Sequence, residues 1–192
     1  LDRDFPGAKS EERAARLLSK ISKEGLAKFG LTGGANTMHA AMFVSQSSEM
    51  IRLLLEAGAN PYDVDSIGSD PFMIGCYSAP LSCLQMWMKY LPTWDVERRN
   101  SIVGGIALGY YVISSRGRSG AIFDYLLKLG ADPRILTDTG SSLLHSGSSA
   151  DVDLRVLDRV LREVRALCEK ESPNERVARV RDISPQTCGC QR

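Results

Sequence analysis

Histidine and cysteine are the side chains best suited to chemistry near neutral pH. This chain of 192 residues carries two histidines, His39 and His145, and five cysteines. Neither histidine has a second metal ligand close by in sequence, so a histidine-based triad or a zinc site is not indicated. Cys188-Gly189-Cys190 is the one compact pair of soft ligands. It could bind metal, accept a lipid or cycle between redox states. Structural zinc wants four ligands and only two are visible, so an unpaired motif is the preferred reading and its role stays open. Cys76 and Cys83 fall in helical patterns and read as packing residues, because a thiol packs as a small hydrophobe. An odd cysteine count without regular spacing argues against a disulfide framework and for a reducing compartment, cytoplasmic or organellar.

Arg116-Gly117-Arg118-Ser119-Gly120 has the composition of an anion nest before a helix start. No Gly-x4-Gly-Lys-Ser/Thr loop accompanies it. A solvated turn is preferred; contact with an acidic partner or a lipid head group is the alternative. No acid/base pair, nucleophile or cofactor loop stands out, so the chain is expected not to be an enzyme and to need no cofactor or metal.

Composition agrees with that restraint. Hydrophobic residues make up 43%, charged residues 24%, and the formal net charge is +1. Such a balance gives no general attraction to nucleic acid or anionic membranes. The longest apolar run, 102–114, is broken by Gly104, Gly105 and Gly109 and is too short to span a bilayer. The chain starts at Leu1 without methionine, which suggests a processed form or part of a longer protein.

The elements that position these residues follow from apolar spacing. Ser10 caps a helix with Ala14, Leu17, Leu18 and Ile21 on one face, ended by Gly25. Two short antiparallel helices then span 34–57, the second rich in leucine and closed by Gly58. Gly58-Ala59-Asn60 through Asp65-Ser66-Ile67-Gly68 marks a joint, and Gly130-Ala131-Asp132 through Thr137-Asp138-Thr139-Gly140 repeats its punctuation. Gly34 to Gly68 is 34 residues, and Gly68 to Gly140 is 72, or two units of 36. In the third unit, Asp95 or Thr93 is expected to cap a helix through Val103, with no definite register for the unit's first helix. A long amphipathic helix from Val152 to Lys170 suits a terminal cap.

Gly34-Ala35-Asn36-Thr37-Met38-His39, Gly68-Ser69-Asp70-Pro71-Phe72 and Gly140-Ser141-Ser142-Leu143-Leu144-His145 together resemble the repeat opening of the ankyrin family, Gly-x-Thr-Pro-Leu-His. The turn Asp65-Ser66-Ile67-Gly68 resembles that family's hairpin finger; in the second joint Thr137 replaces the aspartate. The resemblance implies an all-α helix-turn-helix solenoid of about four repeats (31–171), preceded by an N-terminal segment and capping helix (1–30) and followed by an extended basic tail (172–192). It also implies that His39 and His145 hydrogen-bond backbone groups of the inter-repeat turns.

By the same resemblance, the function expected is protein–protein interaction, as a scaffold, through a concave face of fingers and first helices. The matching positions are Val64, Ser66, Ile67 and Ser69 in one finger, and Leu136, Asp138, Thr139 and Ser141 in another. On the first helices they are Phe43, Val44, Tyr77 and Ser78. Trp94, in an irregular segment after Pro92, is expected to be an exposed contact anchor, whereas Trp87 reads as core. The tail carries four arginines against two acids, a net of +2 (4 − 2), and few apolar groups. Alone it should be disordered, so it is expected to dock on a partner, with folding back onto the repeats as the alternative. A second reading makes the chain a structural or accessory subunit permanently built into a larger multiprotein complex, with an organelle as one candidate compartment.

Overall fold

A computed structural model describes residues 34–44, 47–147, 152–172 and 175. The expected N-terminal capping helix, Cys188, Cys190 and most of the 172–192 tail lie outside these residues. Among the described residues all regular structure is helical: α1 (Thr37–Val44), α2 (Ser48–Glu56), α3 (Pro71–Ser78), α4 (Leu81–Tyr90), α5 (Ala107–Ile113), α6 (Ala121–Lys128), α7 (Leu143–Ser146) and α8 (Leu154–Lys170).

The helices start where the backbone lets them. α1, α3, α5 and α7 each begin three residues after a glycine in the left-handed region: Gly34 (φ 79°), Gly68 (φ 79°), Gly104 (φ 67°) and Gly140 (φ 79°). A side chain in that region costs roughly 1–2 kcal/mol, which is why glycine recurs there. The intervals are 34, 36 and 36 residues, so the unit length is regular throughout. The intervening helix ends are also alike. After α2, the Gly58 N–H donates to Leu55 O and Ala59 N–H to Leu54 O, both at 3.0 Å. After α6, Gly130 N–H donates to Leu127 O at 3.0 Å and Ala131 N–H to Leu126 O at 3.1 Å. This paired closure satisfies the last carbonyls of each helix.

Packing follows from the repeat. α1, α3, α5 and α7 lie one against the next, α2 lies against α4, and each first helix contacts the second helix of its own unit. The residue four positions past each of the first three turn glycines sits between neighbours: Met38, Phe72 and Leu108 are at most 1% exposed. They belong to one continuous core with Trp87, Tyr111, Phe123, Leu126 and Val160. Each such side chain contributes roughly 1.5–3 kcal/mol through removal from water.

Two expectations for the third unit are corrected. Asp95 and Thr93 do not cap a helix through Val103; residues 91–106 form turns and irregular backbone. Asp95 Oδ1 accepts only the Glu97 N–H, at 2.9 Å, before the chain turns again. Trp94 is not an exposed anchor. Its N–H donates to Leu91 O at 3.0 Å, folding the chain back so that the indole meets Trp87 edge-on, 5.0 Å between centroids, and stacks on Tyr62 at 5.2 Å. Burial of so large an apolar surface outweighs the freedom of an irregular segment. Trp94 is 7% exposed, and it is Tyr62 that remains in water.

Beside this aromatic cluster Asp70 caps α3, its Oδ1 accepting the Met73 N–H at 2.9 Å. Oδ2 faces Arg98 Nε at 3.1 Å as an ion pair but receives no aligned hydrogen bond. Burial therefore wins, and the carboxyl is pushed up to about 6 despite the Met73 N–H and Arg98. An acid whose folded value lies above its unfolded value stabilises the fold at low pH, and that contribution is lost as pH rises. Between about pH 4 and pH 6 the loss from Asp70 should total roughly 2 kcal/mol. Urea unfolding of the natural chain and Asp70→Asn at pH 4.5 and pH 7 tests this. The variant, which keeps the cap acceptor, should be favoured over the natural chain by about that much more at pH 7.

Candidate interaction groove

Three turns are built on one plan with different residues. In the first, Asp65 Oδ1 accepts the N–H groups of Ile67 (3.1 Å) and Ser69 (2.8 Å), and Gly68 N–H donates to Asp65 O at 3.0 Å. In the last, the Thr137 hydroxyl accepts Ser141 N–H at 3.0 Å while Gly140 N–H donates to Thr137 O at 2.9 Å. Between them lies a turn that residue-type matching misses. Asn100 Oδ1 accepts Ile102 N–H and Val103 N–H, both at 2.9 Å, and Gly104 N–H donates to Asn100 O at 2.9 Å. The sequence did carry a signal for it, since Gly104 lies midway between Gly68 and Gly140.

Neighbouring turns are stitched together. Ser101 N–H donates to Gly68 O at 3.1 Å, and Asp138 N–H donates to Val103 O at 3.1 Å. Asn100 Nδ2 donates to Ile67 O at 2.8 Å and to the Tyr110 hydroxyl at 2.8 Å. The Tyr110 hydroxyl lies 2.5 Å from Ser69 Oγ. Burial pushes the Tyr110 phenol up, so it stays protonated as a donor. Arg99 bridges Gly104 O and the Asp138 carboxylate, each at 3.0 Å.

This strip of turns and α5 enclose an apolar groove of about 290 Å3. Ile67, Val103, Ile135 and Leu136 form its turn side; Gly109, Tyr110 and Ile113 form its α5 side, with Leu143 of α7 and Gly104 and Gly105 between. Gly105 and Gly109 leave the floor without side chains and so deepen it. Ile67 and Val103 are 48% and 46% exposed, which is high for such large apolar groups.

Of the expected contact residues, the groove brings together Ile67, Leu136 and Ser141. Val64 and Ser66 are exposed on the same turn as Ile67, and Asp138 and Thr139 are exposed on the turn that carries Leu136. A second exposed apolar patch lies at the ends of α1 and α3, where Phe43 stacks on Tyr77 at 6.5 Å beside exposed Val44. Ser114, one residue beyond Ile113 of the groove, links the two patches by donating to Tyr77 O at 2.6 Å. Two expectations fail besides Trp94. Ser69 is fully buried, held by Tyr110, because its turn packs beneath the next one. Ser78 Oγ faces inward and donates to Met42 O (3.1 Å) and Ile74 O (3.2 Å), covering helix-end carbonyls.

The basic turn is not an anion nest. Arg118 donates from Nη1 to Cys76 O and Tyr77 O and from Nη2 to Ala79 O, each at 2.6 Å, so its charge closes the C-terminal end of α3. It also borders a polar cavity of about 300 Å3 between α6 and α8. The other charges there are matched within the cavity: Arg155 with Asp153 at 2.9 Å and Arg159 with Asp124 at 3.0 Å.

The histidines serve the turns. Ser69 O can only accept, so His39 Nε2 carries the proton across 3.0 Å, and Nδ1 accepts Asn36 N–H at 3.2 Å. Burial, the largest influence, holds His39 below the ordinary imidazole range, consistent with this neutral tautomer. His145 accepts Ser142 N–H at Nδ1 at 3.1 Å but is itself exposed. Cys76 and Cys83 are buried, as expected of packing residues, and burial pushes both thiols up. Among the described residues there is no cluster of metal-ligating side chains and no helix long and apolar enough to cross a membrane. No model of a known protein family matches the chain, and no curated protein matches it.

Proposed function

We propose that the chain is a non-enzymatic protein-interaction module built from about four ankyrin-like repeats, binding a partner segment in the apolar groove between its turns and α5. The observation that carries the reading is the groove itself: Ile67 and Val103 stand exposed over a floor of glycines. Large apolar groups held rigidly in water are a standing cost that a partner's side chain removes. The recurring turn glycines and the His39 bridge support the repeat assignment. Both histidines are engaged by turn backbone, which favours a binding role over catalysis.

Panning a random peptide library against the full chain tests this. The selected peptides should carry an apolar anchor, and Ile67→Ala with Leu136→Ala should weaken them at least about tenfold. Peptides that bind both forms equally would place recognition elsewhere.

A further inference from the structure

The last unit ends on an open apolar face. Leu144 occupies the position that buries Met38, Phe72 and Leu108 in the earlier units, yet it is 39% exposed. With Val160 and Val164 it lines a groove of about 120 Å3 between α7 and α8. On α8 itself, Leu154 is 78% exposed and Leu161 48%. Leu154, Asp158, Leu161, Arg165 and Cys168 follow one another at steps of four, three, four and three residues, so they form one stripe along the helix. Leu154, Asp158, Leu161 and Arg165 are exposed and Cys168 is half-buried, while Val156 and Val160 on the opposite side enter the core.

The order along the stripe decides what fits it. Read backwards, it has apolar groups at the same steps and its two charges exchanged. A second copy laid antiparallel about Leu161 therefore sets Leu161 on its equivalent, Leu154 on the second copy's Cys168, and Asp158 opposite the second copy's Arg165. The apolar and charged pairings share a centre to within about 1 Å along the helix. Parallel copies would instead place like charges together. Asp158 pairs with Arg162 of its own helix through Oδ2, which leaves Oδ1 for the second copy. We propose that this face joins two copies of the chain, α8 on α8 and antiparallel, in a two-fold dimer. The stripe spans about 21 Å, less than a standard interface, so the dimer is sized to dissociate in the micromolar range. None of its four exposed residues lines the groove between the turns and α5, so the contact is independent of the partner reading.

Sedimentation equilibrium of the full chain tests the pairing through charge exchange. The natural chain should pass from monomer to dimer between about 1 and 300 µM. Leu161→Asp, Asp158→Arg and Arg165→Glu should each weaken the dimer at least about tenfold, by burying a charge or facing like charges. Helical circular dichroism should be unchanged in all three, since the substituted groups are exposed. Mixing the Asp158→Arg and Arg165→Glu chains restores both opposite-charge contacts, so the mixture should dimerise within about threefold of the natural chain. A natural chain that stays monomeric throughout overturns the proposal, whatever else covers the face. So does a dimer that survives Leu161→Asp, or a mixture that associates no more tightly than its components.

Discussion

Replacing His39 by alanine should lower the free energy of unfolding by about 3 kcal/mol, a large share of what a domain of this size has. The imidazole is fully buried and joins one turn to the next, with Nε2 on Ser69 O and Nδ1 on Asn36 N–H. Alanine leaves a cavity and removes the imidazole donor from the fully buried Ser69 carbonyl and the acceptor from the part-buried Asn36 N–H. His145→Ala should cost less than about 1 kcal/mol, because that ring is exposed and water can replace it. The effect of His39 also has a pH signature. Its folded value is held below the ordinary one by burial, so the unfolded chain binds the proton more readily. The stability that neutral His39 contributes is thus fully present above about pH 6.5 and lost as pH falls below it. Urea unfolding should show the gap between natural chain and His39→Ala narrowing from pH 7.5 to pH 5; a gap independent of pH would show that ring protonation is not linked to folding.

Gly68→Ala should be nearly as damaging, at roughly 2–4 kcal/mol, for two reasons that add. The backbone sits at φ 79°, and an added Cβ would lie 2.6 Å from Ser101 Oγ and 2.9 Å from the Ile102 backbone nitrogen. The serine hydroxyl can rotate away, but the backbone nitrogen cannot without breaking the Ser101–Gly68 link between turns. Gly58 supplies the control. Its φ is also 79°, but nothing lies within 4 Å of a built Cβ, so Gly58→Ala should cost only about 1–2 kcal/mol. Equal losses at the two sites, measured by the same unfolding experiment, would show that close stacking of the turns adds nothing.

The contrast between these glycines also shows what could be read before folding. A left-handed backbone position is a local demand, and glycine meets it wherever the chain ends up. That is why Gly34, Gly68 and Gly140, the glycine ends of α2 and α6, and the all-helical character were legible in the residue order. The same rule reached Gly104, but Asn100 stands where Asp65 does, and one extra residue separates it from its glycine. The third turn therefore hid behind a change of residue type and one inserted residue, although a side-chain oxygen still accepts two of the turn's N–H groups.

Burial is not a local demand, and there the residue order fell short. Trp94 and Arg118 both lie in irregular segments rich in turn residues, where exposure is the ordinary expectation. Only stacking of α3 on α5 brings the α3 carbonyls to Arg118, and only the fold-back at Leu91 lays Trp94 on Trp87. Ser69 and Ser78 lost their expected surface roles in the same way, to partners 41 and 36 residues distant. By itself the sequence determined where the helices outside the third unit start and stop and which glycines hold the joints, because those depend on backbone geometry within a few residues. The tertiary structure alone decided which side chains remained in water to form the groove, because exposure depends on segments that meet only once the units have stacked.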